Sequence, residues 1–135
     1  MSTILLVQAD LVLNETWAEA LARTGYDVLR VQTIDDGVAR AREGGIDVVV
    51  IDTDGSDGPV RALVGELDRL PDAPPLVLVS ESPQAPELSA QVGAAGFLPK
   101  PCSSEDLVEV VARVASAAIR HPIFDEETTS PRKRF

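Results

Sequence analysis

Cysteine and histidine are almost absent from this chain. It has one of each, Cys102 and His121. A lone cysteine excludes an internal disulfide and suits a reducing compartment. A lone histidine leaves no His/Cys cluster for zinc and no Ser–His pair for hydrolysis. Aromatics make up only 4% of the residues (Trp17, Tyr26, Phe97, Phe124 and Phe135), so the core must be aliphatic. Basic residues are short too, with 12 Lys and Arg against 22 Asp and Glu and a net charge of −10. That balance argues against nucleic acid or an anionic membrane as the main partner, since both require a basic footprint. The basic end SPRKRF is too small to reverse it. No apolar run reaches the ~18 residues of a membrane span. MSTILLVQAD has no basic residue before its apolar stretch, so it is not a signal peptide. The expectation is a cytoplasmic protein whose partners are other proteins or small molecules.

What is present is alternation. At 135 residues and 14.4 kDa the length fits one domain, able to bury roughly two-thirds of its unfolded surface. Residues 3–8 (TILLVQ) are a continuous apolar run, the pattern of a parallel strand buried on both faces. Residues 12–24 read as a helix, with Leu13, Trp17 and Leu21 on one face and Gly25 as its stop. Residues 27–32 (DVLRVQ) alternate like a half-exposed strand. Residues 35–43 read as a short helix ending at Gly44-Gly45, its Asp35, Asp36 and Glu43 a solvated face. Residues 46–51 (IDVVVI) are β-branched and strand-like. DTDGSDGP is a loop by composition, and Pro59 suits the first turn of a helix through about Leu70. PDAPP is a linker before the strand LVLVS. Residues 84–93 read as a helix with Pro86 near its start, and 95–98 as a fifth strand. Ser103-Ser-Glu-Asp106 resembles a capping box. Leu107, Val110, Val111, Val114 and Ala118 then recur at helical spacing, and the pattern ends after Arg120. Residues 1–120 are therefore expected to fold, with 121–135 a polar, disordered tail or linker. Five strands alternating with five helices imply an α/β fold with a doubly wound parallel sheet.

In such sheets ligands sit at the C-terminal strand ends. IDVVVID ends at Asp52, PLVLVS ends at Ser80, and AAGFLPKP carries Lys100. A carboxylate can attack phosphorus and hold the phosphoryl group as an acyl phosphate. An ammonium, a hydroxyl and a divalent cation can stabilise the transferring oxygens. Asp52 is the candidate acceptor, Lys100 the cationic clamp, and Ser80 the hydroxyl that closes on the phosphoryl group. Singly, each is an ordinary cap, loop residue or solvated charge. Their shared placement at strand ends is the signal.

Over residues 3–119 the sequence resembles the receiver domain of two-component response regulators. The most specific segment is GAAGFLPKP (residues 93–101), similar to the family's Lys-Pro signature. IDVVVIDTDGSDG resembles its acceptor strand and loop. The resemblance implies a flavodoxin-like fold with strand order 2-1-3-4-5, the order found in chemotaxis receivers. It implies a cis Lys100–Pro101 bond, an aromatic switch at Phe97 and Mg²⁺ as cofactor. It further implies a sensor histidine kinase as partner and a responsive, potentially dimerising surface at about residues 84–119. It implies no enzyme of the ordinary kind, but a two-state switch biased by a local charge.

The chain departs from that pattern at four places. Where the family has two acidic residues for Mg²⁺, Gln8 and Ala9 follow ILLV. Asp10 comes one place later, so Asp52 would need help from Asp10, Gln8 or Asp54 to hold a cation that prefers octahedral oxygen ligation. Glu81 stands where a small residue would leave room for phosphate. The DTDGSDG loop is short, and Pro83 and Pro86 crowd a shortened stretch between Ser80 and Phe97. Two functions follow: a phosphorylation-dependent switch at Asp52, or a phosphorylation-independent binding module with a retired site. A flavin-binding relative is a weaker third, because no glycine- and hydroxyl-rich loop follows TILLVQAD. Cys102 reads as a small packed side chain rather than a redox centre.

Overall fold

The computed structural model describes residues 2–53 and 57–124. Asp54 and the centre of the predicted loop, and the predicted tail from Asp125 onward, lie outside the described residues. The elements alternate as the sequence implies: β1 (Thr3–Val7), α1 (Leu11–Arg23), β2 (Asp27–Val31), α2 (Ile34–Arg42), β3 (Val48–Thr53), α3 (Asp57–Asp68), β4 (Leu76–Ser80), α4 (Ala85–Val92), β5 (Gly96–Pro99) and α5 (Ser104–Phe124). The sheet is wholly parallel in the order β2-β1-β3-β4-β5. This is the expected flavodoxin-like arrangement.

Side-chain alternation divides the core in two. Ile4, Leu6, Val48, Val50, Val77 and Val79 face Trp17, Leu21, Leu107 and Val111 on α1 and α5. Leu5, Val7, Val49, Ile51 and Leu78 face Val60, Leu63 and Leu88 on α3 and α4. Each fully buried aliphatic side chain contributes roughly 1.5–3 kcal/mol. A central sheet covered on both sides thus needs few aromatics. Trp17, the largest side chain, is only 2% exposed, as its place on the helical stripe implied.

Two elements depart most from their expected bounds. The third strand is predicted at 46–51 but runs Val48–Thr53. Its ladder with β4 continues through Asp52↔Val79 and Thr53↔Ser80, so Asp52 lies within the strand rather than after it. Asp47 is instead engaged before the strand, its carboxylate accepting from the Thr3 N–H at 2.7 Å. The last helix runs to Phe124, four residues past the predicted end at Arg120. Backbone bonding propagates residue by residue and does not stop where the apolar stripe stops. Its start is the predicted box: Asp106 N–H donates to Ser103 Oγ and Ser103 N–H to Asp106 Oδ2.

Candidate functional site

Register gathers the candidate residues at one sheet edge. Val7 pairs with Ile51, which puts Gln8 beside Asp52. Ser80 pairs with Thr53 and Pro99, so Lys100 emerges one residue past the β5 end. Lys100 Nζ donates to both Asp52 oxygens, at 2.8 Å to Oδ1 and 3.0 Å to Oδ2. The Asp52 side chain is 5% exposed and that of Lys100 21%. The Lys100–Pro101 bond is cis.

Gln8 completes the set. It is 3% exposed, and its Nε2 donates to Asp52 Oδ2. Its Oε1 accepts from the Asp10 backbone N–H at 2.9 Å. The two bonds fix the amide's orientation. The opposite orientation would set amide oxygen against carboxylate and NH₂ against a backbone N–H. Asp10 is also committed: as N-cap of α1 its Oδ1 accepts from Val12 N–H at 2.9 Å and Leu13 N–H at 3.0 Å. These contacts engage groups that were expected to lend oxygen to a cation. The Gln8 oxygen faces the Asp10 N–H, Asp10 Oδ1 caps a helix, and Ala9 has no ligand atom in its side chain. Among the described residues no group of three His, Cys, Asp or Glu is placed to hold a metal. The described residues do not fit the family's Mg²⁺. Asp10→Ala is expected to cost about 1 kcal/mol, the ordinary loss of an N-cap, by urea unfolding. The loss should be the same with Mg²⁺ as with EDTA.

The other predicted residues sit nearby. Ser80 is 1% exposed, and its Oγ accepts from the Ser82 N–H at 3.1 Å, a turn contact leading into α4. Its carbonyl accepts from the Lys100 N–H at 2.9 Å, which ties the lysine's backbone to β4. Glu81 beside it is exposed. Phe97 is half-buried against the α3/α4 side of the core. The neighbouring Gly96 lies close under α5, where an added Cβ would come within 2.9 Å of Val110 Cγ1. Cys102 packs on the α1/α5 core, and burial, more than the nearby Asp106 and Asp52, raises its thiol above the ordinary range against the opposing pull of Lys100. That leaves less thiolate, the reactive form.

Sequence reasoning missed Asn14. It is 1% exposed, and its Nδ2 donates to Gln8 O and Val31 O, both at 3.0 Å. Its Oδ1 accepts from Arg30 Nε at 2.6 Å. The signal was present, since Asn14 joins Trp17, Ala18 and Leu21 at helical spacing on the buried face.

Comparison with known proteins agrees with the architecture. The chain is similar in structure to a CheY-like receiver domain protein from Methanospirillum hungatei JF-1, at 20% identity and a TM-score of 0.79, covering 90% of this chain and 98% of that one. It is similar to the non-phosphorylated HemR receiver domain from Leptospira biflexa, at 26% identity and TM-score 0.75, covering 98% and 99%. Chemotaxis response regulator CheY4 of Vibrio cholerae matches at 23% identity and TM-score 0.75, covering 84% and 98%. No curated protein matches. The family model described as the response regulator receiver domain matches residues 4–112. With its sheet order and strand-end residues, the chain belongs to the response regulator receiver domain family.

Proposed function

We propose that this receiver domain works in two-component signalling as a phosphorylation-independent protein-binding module. The observation that carries the reading is the Gln8 amide, which donates to Asp52 where a metal-dependent receiver would need a cation. Asp52 is buried, paired with Lys100 and bonded to Gln8, so its charge is neutralised without phosphate or metal. The module's partner is a signalling protein, met through about residues 84–119, with a homodimer on the same surface the simplest variant. The working unit is the receiver domain, read from the sequence as residues 1–120 and carried to Phe124 by α5, with a polar tail after it, in the cytoplasm. No enzymatic role is assigned.

A second reading keeps Asp52 as phosphoacceptor for a sensor histidine kinase. It is favoured by Lys100, which contacts both carboxylate oxygens, and by Ser80 one register step away. Phe97 would then be the switch. The test is incubation with Mg²⁺ and a small acyl-phosphate donor, read by intact mass beside Asp52→Asn. The expected result is no Asp52-dependent gain of a phosphoryl group. A phosphorylated species in the wild type that Asp52→Asn abolishes would overturn the binding-module reading in favour of the second.

A further inference from the structure

We infer that Gln8 is a built-in substitute for the divalent cation, a positioning residue that keeps Asp52 locked to Lys100 with no metal bound. The inference rests on the binding-module reading and gives its physical cause. A buried carboxylate is stable only when its charge is paired and its oxygens accept hydrogen bonds. Lys100 supplies the charge. Gln8 supplies a further donor to Oδ2, on the β1 side of the carboxylate.

The amide is held at both ends. Its oxygen is capped by Asp10 N–H. Its own backbone is fixed twice, by Asn14 Nδ2 on the Gln8 carbonyl and by the Gln8 N–H on Val31 O at 3.1 Å. A side chain so anchored is pre-positioned to donate and loses little entropy in doing so. A carboxylate at position 8 would instead face Asp52 as a like charge, a repulsion that a cation or a shared proton relieves. The glutamine therefore decides whether this edge needs a metal.

The test is thermal unfolding of Gln8→Glu and wild type in EDTA and in excess Mg²⁺, well above the carboxylate titration range. Gln8→Glu has nearly the same shape, removes the donor and adds a like charge. In EDTA its midpoint should fall by roughly 5–10 °C. Mg²⁺ should restore roughly half of that loss, as expected for a ligand at about ten times its dissociation constant. Wild type should show no Mg²⁺-dependent shift. Gln8→Met, which removes the donor without adding charge, should lose less and gain no Mg²⁺ response. Gln8→Glu combined with Asp52→Asn restores a carboxylate–amide pair in reverse and should recover the EDTA midpoint. Should Gln8→Glu fail to fold in EDTA, its recovery in that double variant supports the inference, and failure of both overturns it. Gln8→Glu unfolding with wild type in EDTA, or wild type rising with Mg²⁺ as much as the variant, also overturns it. Phosphorylation of the wild type would remove the binding-module reading yet leave this EDTA comparison intact, so the two fail separately.

Discussion

Lys100→Met is expected to lower unfolding stability by about 2–3 kcal/mol, and adding Asp52→Asn should return most of it. The methionine keeps the length of the aliphatic stem but leaves Asp52 charged without its ammonium partner, the Gln8 donor remaining in place. Breaking a buried ion pair by removing one partner costs about 3–5 kcal/mol, because a charge is stranded. Here the Lys100 side chain is 21% exposed, so water screens part of the interaction and the lower figure applies. The Asp52 side chain, at 5%, has no such access. The asymmetry predicts the order of the single variants. Asp52→Asn leaves an ammonium that can reach solvent and should cost less than Lys100→Met. Urea unfolding of the four proteins in a double-mutant cycle measures the coupling, expected at about 2 kcal/mol. A coupling near zero would show that the pair is a screened surface contact with no hold on the site.

The elements and their alternation along the chain were legible because the central strands are runs of β-branched or aliphatic residues, as in LVLVS before Glu81 and IDVVVI after Gly45. The strand-end placement of Asp52, Ser80 and Lys100 followed from the parallel rule alone. What could not be read was pairing. Gln8 looks like a missing carboxylate in the sequence. Its role appears only when β1 and β3 are registered, because the contact joins residues 44 apart. Asp10 looks like a spare metal ligand until its carboxylate is seen capping α1. The β3 boundary failed for a related reason. Aspartate is a poor strand residue by propensity and the DTDGSDG composition signals a loop, so only the β4 ladder reveals that Asp52 and Thr53 stay extended. Local chemistry therefore predicted which side chains reach the edge, and long-range register decided what they do there.

Asn14→Ala should cost about 2–3 kcal/mol, although an asparagine in a helix is ordinarily a mildly unfavourable residue. The side chain is almost fully buried, and it serves two carbonyls at the ends of β1 and β2, Gln8 O and Val31 O. Val31 O keeps a second donor in the Gln8 N–H, so the main loss is at Gln8 O. Leaving such a buried acceptor unpaired costs about 1–3 kcal/mol, and the cavity adds to it. Asn14→Leu fills the cavity and should recover only the packing part. Arg30→Met removes the bond to Asn14 Oδ1 from an exposed residue, and water can replace that donor. It should cost about 0.5 kcal/mol, the low end for a single hydrogen bond. The three variants thus separate cavity, orphaned carbonyl and surface contact. Amide hydrogen exchange adds a local readout. If Asn14 fixes the Gln8 backbone, Asn14→Ala should speed exchange at Gln8 and at Asp10, whose N–H donates to Gln8 Oε1, beyond the rise set by global stability. Exchange at those two amides that merely tracks global unfolding would confine Asn14 to holding α1 on the sheet, with no part in setting the Gln8 contact to Asp52.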